Sequence, residues 1–524
     1  METPFLPTDT PAEVVERVRA WTSSARTPPD AETDPLAIGK LRLAGVYDDR
    51  QPGFFMLRTR VPGGRLSAPQ AETLAQVARD HSVRPQGERG PERFVEITTR
   101  QDLQLHWIRF ESLPAIWDRY AAVGLTTLEA CGDGLRNVTS CPLAGLDPRE
   151  LLDARPVVDA VTALGLTEPE LAAFLPRKFK VAVTGCPSDC VLARVNDLAF
   201  TPASRGGRLG FNVHGGGGLS DYPRLASPLD VFVEPGQVPE VVRAALVLYR
   251  ERGDFEHKAV NRFRRLVEEL GSEKTAAELR ARLPFPVASA GDDLSTWRAE
   301  DHLGVRPERR AGRFTVGLCV PLGRLAAVEL AEFARLARSY GDGELRLTQR
   351  QNVVLAGVRK ELLSELLAEP LLERLRPEPD PFERAVVACT SAPFCKFGIF
   401  NVKEKGAELI EHLRLALSPS RGDSLHGLRI HIAGCKASCA QTHAGHIGLR
   451  ATVAKDEIGH REAFDIALGG DPGGGRLARW VAAAVPLEEA FATIASLLEA
   501  AAEDARGPAA LAELHPAPSS EEGL

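Results

Sequence analysis

GCPSDC at residues 185–190 and GCKASC at 434–439 are near copies of one pattern, a glycine followed by two cysteines with three residues between them. Each closes an apolar run, FKVAVTGC and GLRIHIAGC, that reads as a strand entering a Gly turn, after which the Cys-x-x-x-Cys stretch is expected to open a helix. Outward from this pair the chain keeps repeating. FMLRTRVPGGRL (55–66) matches FTVGLCVPLGRL (314–325), EITTRQDLQL (96–105) matches RLTQRQNVVL (346–355), and Cys141 precedes Cys389. All four offsets are about 250 residues, where chance matches would scatter, so the chain reads as a tandem duplication.

The local patterns agree. EITTRQDLQLHW alternates apolar and polar residues as a half-buried strand does. VVRAALVLYRERG and LAEFARLARSYG have helical periodicity and end at Gly, a common cap. GGGG (215–218) and GGDPGGG (469–475) read as loops, and no Gly-x-Gly-x-x-Gly fingerprint stands in a strand–helix context. The fold class is therefore α+β with two pseudo-equivalent halves, each divided into a piece with the first two motifs and a piece with the cysteines. Expected segments are an N-terminal extension at 1–48, then 49–112, 113–300 with a linker at about 272–300, 301–372 and 373–505. Residues 1 to about 35 and the tail 506–524 are rich in Pro, Ala and acidic residues and are expected to be disordered.

At 524 residues the chain is too long for one core, and its net charge of −7 excludes a strongly basic nucleic-acid footprint. METPFLPTDTPAEVVERV lacks the basic and apolar regions of a signal peptide, and no apolar run is long enough to span a membrane. A reducing cytoplasm is expected, where clustered cysteines point to metal or redox chemistry before disulfides.

Cys389, Cys395, Cys435 and Cys439 supply four thiols from two Gly- or Pro-punctuated loops. They suit an iron–sulfur cluster or a structural zinc, although the tight Cys-x-x-Cys knuckles preferred by zinc are absent. Separate buried cysteines are the plainer alternative. Cys389-x5-Cys395 followed by Cys435-x3-Cys439 resembles the signature of the sirohaem-dependent nitrite and sulfite reductases. FMLRTRVPGG, TTRQDLQLHWI, LRNVTSCPLAG and LPRKFKVAVTGCPSDC resemble family blocks in family order, over roughly residues 50–500. The resemblance implies two ferredoxin-like half-domains plus two sirohaem/[4Fe–4S] domains related by a pseudo-twofold. It also implies sirohaem, one [4Fe–4S] cluster on the four cysteines, and Cys439 as the thiolate shared with the sirohaem iron.

Sirohaem is a polycarboxylate and the substrate is an anion, so several cations are required, since unpartnered buried carboxylates are very costly. By resemblance, Arg136, Lys178 and Lys180 face the substrate together with Arg58 or Arg60, between which the spacing does not decide. Arg100 and Asn137 are assigned to the cofactor. The implied reaction is the six-electron reduction of nitrite to ammonia, with sulfite to sulfide as the alternative and a precorrin-3B synthase-like monooxygenase as a more remote one. A cluster-bearing sensor without turnover is the rival from another class. Electrons are expected from a separate ferredoxin or flavoprotein, and the protein is expected to be a monomer.

In the N-terminal copy Cys141, Cys186 and Cys190 align with cluster cysteines, but Asp147 stands near the place of Cys395. This copy reads as a relic that shapes the pocket rather than as a second cluster. Cys131 and Cys319 are expected in cores, and His106, His443 and His446 as hydrogen-bonding residues. Lys436, inside GCKASC, is expected either to raise the cluster's potential by favouring its reduced state or merely to lie on the surface.

Overall fold

The computed structural model describes residues 6–514, except 7, 25, 31, 33, 258–260 and 457–458. The chain divides into two compact units. The first holds Met1–Gly218, Ala226–Leu318 and Arg324–Arg374; the second holds Leu219–Leu225, Cys319–Gly323 and Leu375–Leu524.

The first unit opens with a helix over Pro11–Ser23, contrary to the expectation of disorder. Thr10 and Glu13 form a capping box around Pro11, and the helix buries Val14, Val18 and Trp21. Composition concealed this because the Pro and Glu that suggest disorder are here the residues that start a helix. Next come strands β1 (Val46–Asp48), β2 (Phe54–Thr59), β3 (Arg65–Ser67), β4 (Phe94–Ile97) and β5 (Leu103–Arg109). The stretch read as one strand, EITTRQDLQLHW, is thus two, joined by a tight turn in which Gln101 takes φ +63° and donates its amide to Thr98 O. β5 is buried along nearly its whole length rather than on one face.

The first cysteine-bearing piece has β6 (Thr139–Ser140), β7 (Val181–Val183), β8 (Leu198–Arg205), β9 (Arg208–Gly215), β10 (Ser227–Val233) and β11 (Asp292–Asp293). β6, β7 and β8 run parallel, and β9 and β10 add antiparallel. The predicted helix of VVRAALVLYRERG spans Val238–Arg252 and packs into this piece's core.

A second half-domain follows, with β12 (Gly304–Pro307), β13 (Arg313–Leu318), β14 (Arg324–Ala326), β15 (Glu344–Leu347) and β16 (Val353–Arg359). The two half-domains exchange strands. One sheet runs β1-β2-β5-β4-β14 and the other β12-β13-β16-β15-β3, so each is completed by the other half's short strand. Gln101 donates to Leu347 O at 2.8 Å while Gln351 donates to Ile97 O at 2.9 Å, a reciprocal pair at the crossing. The helices Ala68–His81 and Ala327–Tyr340 pack together there. Gly253 and Gly341 cap their helices as expected, yet with φ of −76° and −121° rather than in the left-handed region.

The second unit repeats the cysteine-bearing sheet as β17 (Val386–Ala388), β18 (Ile430–Ala433), β19 (Ile447–Asp456), β20 (Gly459–Leu468) and β21 (Arg479–Pro486), in that spatial order. β17, β18 and β19 are parallel and the rest antiparallel, as in the first copy. The tail read as disordered begins with a 3₁₀ turn, Gly507–Ala512, whose Leu511 is buried against Leu498 and its neighbours. Residues 515–524 lie outside the described residues. Among the described residues no helix is long and apolar enough to cross a membrane.

Candidate active site and cluster loops

Both GCxxxC stretches leave a parallel strand as expected, but neither opens a helix. Each winds through turns into a 3₁₀ segment, Ala193–Val195 in one copy and Thr442–Ala444 in the other. The paths match: Asp189 caps Ala193 N–H at 2.7 Å and Ser438 caps Thr442 N–H at 3.1 Å. Leu192 and Gln441 both take left-handed φ. Side-chain caps satisfy the backbone here, which favours turns over a continuing helix.

In the second unit Cys389 follows β17, and its sulfur accepts a hydrogen bond from Gly434 N–H at 3.1 Å. Burial pushes the Cys389 thiol up, reinforced by Cys439, Cys435 and Cys395, which are its electrostatic neighbours. Gly434 is needed for this approach, because a Cβ there would stand 2.1 Å from Ser391 Oγ. Cys389, Cys395 and Cys435 are half-buried, while Cys439 is exposed. This donor set fits a cluster with one sulfur left accessible to a further group. Lys436 is exposed, and its carbonyl accepts from Ser220 Oγ at 3.0 Å.

The basic residues gather in the first unit. Arg58 holds Gln104 Oε1 at 2.6 Å and Ala130 O at 3.3 Å, and Arg136 reaches the same Ala130 carbonyl at 2.9 Å and Gly132 O at 3.1 Å. Arg100 donates to Asn196 Oδ1 at 3.0 Å and to Asn137 O at 2.6 Å, while Asn137 donates to Val61 O and Arg100 O. Burial lowers Arg100 to about 10. Lys178 and Lys180 lie just before β7. Burial first, then Arg100, Lys178 and Arg262, hold the Lys180 ammonium well below the usual lysine range, with Asp197 opposing.

Arg60 departs from this group. Its side chain is fully buried and paired to Glu129 at 3.0 Å, which removes it from the set expected to meet substrate. Of the two arginines that spacing left open, Arg58 is the one beside Arg136. Arg136, Arg100 and Lys180 make no carboxylate ion pair among the described residues, and the Nε of Arg100 and the Oδ1 of Asn137 are buried without a partner. Cations without a paired carboxylate, Arg136 buried and Arg100 and Lys180 half-buried, are what a polycarboxylate group and an anionic substrate require. The residues present therefore fit sirohaem.

His106 bonds Asp49 and stands near Glu96, and His443 bonds Ala478 O, as hydrogen-bonding residues do. Cys131 and Cys319 are buried. Two participants escaped the sequence reading. Arg262 pairs with Asp197 at 2.6 Å beside Lys180, and His302 enters the cysteine group of the N-terminal copy. Neither belongs to a motif; each arrives from a helix start or a linker, where only tertiary structure assigns a neighbour.

Two family models match the chain. One is the nitrite and sulphite reductase 4Fe-4S domain over residues 131–287, and the other is the nitrite/sulfite reductase ferredoxin-like half domain over 47–123 and 306–372. Fold and site thus define an iron–sulfur oxidoreductase. An assimilatory ferredoxin-dependent nitrite reductase of Haloferax mediterranei is 39% identical over 521 residues, covering 93% of this chain and 88% of that protein. A ferredoxin–nitrite reductase of Synechococcus elongatus is 38% identical, covering 80% and 81%. The solved NirA protein of Mycobacterium tuberculosis superposes with a TM-score of 0.85 at 28% identity, covering 93% and 91%. The chain belongs to the sirohaem-dependent nitrite and sulfite reductase family, enzymes that carry sirohaem and one [4Fe–4S] cluster.

Proposed function

We propose that this enzyme reduces nitrite to ammonia in the cytoplasm, as a monomer that draws its electrons from a separate ferredoxin. The observation that carries the anionic substrate is Arg136, a buried guanidinium whose hydrogen bonds, among the described residues, go only to the carbonyls of Ala130 and Gly132. The ferredoxin and the nitrite are supported by the printed names of the Haloferax and Synechococcus relatives.

Cys389, Cys395, Cys435 and Cys439 would hold the cluster, Cys439 would also reach the sirohaem iron, and Arg100 and Asn137 would meet the cofactor's periphery. When bound, sirohaem supplies an electron-rich iron for the substrate and the cluster supplies single electrons. The protein's own part is electrostatic and protonic. Arg58 and Arg136 orient the anion and stabilise negative charge as it develops. Lys178 and Lys180 donate protons, and an amine held below its ordinary range gives up its proton more readily near neutral pH. Reducing nitrite to ammonium consumes six electrons and eight protons and releases two waters, so proton supply matters as much as charge.

Turnover with reduced methyl viologen, assayed separately with nitrite and with sulfite, tests this reading. Nitrite turnover well above sulfite turnover is expected; sulfite turnover without nitrite turnover overturns it. Cys439→Ser is expected to lose the sirohaem absorbance and the activity together, and normal activity in that variant removes the cluster assignment.

A further inference from the structure

The N-terminal copy has kept three of the four cluster cysteines, and all three are buried: Cys141 and Cys186 are 1% exposed and Cys190 5%. The sulfurs of Cys141 and Cys190 and a ring nitrogen of His302 lie within 4.8 Å of one another, with Cys141 Sγ and His302 Nε2 3.9 Å apart. His302 is 1% exposed. Cys186 Sγ, an electrostatic neighbour of Cys141, contacts Ser188 Oγ at 3.0 Å and Asp147 Oδ2 at 4.0 Å.

We infer that Cys141, Cys186, Cys190 and His302 form a mononuclear metal site that takes Zn²⁺ as a Cys₃His tetrahedron. Spacing separates this from a second cluster. A [4Fe–4S] group holds its thiolates apart by the iron–sulfide cube standing between them. With Zn–S near 2.3 Å and Zn–N near 2.0–2.1 Å, a tetrahedral zinc asks for ligand atoms about 3.5–3.8 Å apart. The observed gaps among Cys141, Cys190 and His302 are those of ligands to one ion, and Cys186 completes the tetrahedron by swinging away from Ser188 and Asp147.

The surroundings are built for it. Where the duplication would place Cys395 stands Asp147, which is taken by Arg149 at 2.8 Å. A fourth ligand comes instead from the linker. Among the described residues His302 Nδ1 has no hydrogen-bond partner, and it faces the Glu300 carboxylate at 3.9 Å. Glu300 is anchored by Arg149 at 2.8 Å and Arg306 at 3.0 Å. A carboxylate behind a ligating imidazole fixes the ring and raises its basicity. The linker also clamps the GCPSDC loop: Asp189 N–H donates to Arg298 O, and Thr296 N–H and Oγ1 both donate to Pro187 O. Metal binding would convert three thiols and a neutral imidazole to three thiolates and a coordinated imidazole, releasing three protons and changing no oxidation state. The ion would staple the linker to the loop after β7.

The purified holoenzyme, treated with EDTA to strip surface ions, is analysed for zinc and iron. One zinc per chain is expected beside the iron of sirohaem and one cluster. His302→Ala and Cys190→Ser are each expected to lower zinc at least about tenfold while iron and the visible spectrum are retained. Should a variant fail to fold, wild-type protein expressed with Co²⁺ in place of zinc is expected to show thiolate-to-cobalt charge-transfer absorption. Zinc far below one per chain with no cobalt signature overturns the proposal. So does a Cys141–Cys190 disulfide in alkylated, unreduced peptides, or about four extra irons per chain that Cys190→Ser removes.

Discussion

Lys180 carries a charge that its surroundings oppose. Its ammonium is disfavoured by burial and by Arg100, Lys178 and Arg262, so it deprotonates as pH rises through a value below the ordinary ~10.4 of lysine. If it is a proton donor, nitrite turnover falls along an alkaline limb that lies in that lowered range. Lys180→Arg, which stays protonated, is expected to move that limb upward, and Lys180→Ala to cut kcat by about a hundredfold or more with cluster iron retained. Identical limbs in wild type and Lys180→Arg would exclude the role. His214 shows the same physics acting on stability. Burial, with Arg194 beside it, lowers this histidine to about 4, and it bonds Thr201 Oγ1 at 3.0 Å as a neutral ring. The unfolded chain takes up the proton near pH 6.5 and the folded one does not. The stability gained from a neutral His214 is therefore complete above that pH and is lost as pH falls toward 4. Between pH 7 and pH 5, His214→Asn should gain on wild type by about 2 kcal/mol in denaturant titrations, since only wild type carries the proton-linked loss. An unchanged difference would mean His214 is not held neutral. At this scale the cysteines and the basic blocks were legible because their residue types cluster along the chain. Arg60 was not separable from Arg58, because its partner Glu129 is distant in sequence and nothing in FMLRTRV indicates a buried pair.

Among the elements, the strand-to-loop junctions carry the site, and their glycines are fixed by contact rather than by turn type. At Gly434 an added Cβ would meet Ser391 Oγ at 2.1 Å and Ser391 Cβ at 2.6 Å; at Gly185 it would meet Leu152 O at 1.7 Å. Ser391 cannot yield easily, since its hydroxyl donates to Phe400 O at 2.5 Å inside the loop that bears Cys389 and Cys395. Gly434→Ala should therefore push the two cysteine loops apart and lower iron per chain at least severalfold, measured on protein that still shows native far-ultraviolet dichroism. Full iron loading in that variant would show that the loops approach each other less tightly than the structure has them. The repeated strands and long helices were visible from periodicity. What periodicity did not reveal was the break at Thr98–Asp102, where left-handed Gln101 turns the chain within an uninterrupted alternating pattern. The Pro11–Ser23 helix escaped for the opposite reason: composition suggested disorder, while four particular residues, Thr10 to Glu13, start a helix.

For the molecule as a whole, duplication was readable from four matched motifs, but strand exchange was not. A repeat reports that two copies share a fold; it is silent on whether each copy completes its own sheet. Here β14 pairs with β4 and β3 with β15, the Arg324 guanidinium from one half binds Glu96 of the other at 2.6 Å, and each half's glutamine bonds the other's backbone. Neither half-domain can lose its sheet without exposing an edge of the other, and an exposed edge leaves unpaired backbone groups that cost free energy. The two half-domains should consequently open as one cooperative unit. Leu57 in β2 and Leu355 in β16 are fully buried in different halves, so Leu57→Ala and Leu355→Ala should each destabilise by about 2–5 kcal/mol. Hydrogen exchange then reads the coupling directly: either substitution should raise the exchange rates of β5 and β16 amides together, by similar factors. Acceleration confined to the substituted half would mean that the exchanged strands are passengers, and that the duplicated halves keep the independent stability of the unit from which they were copied.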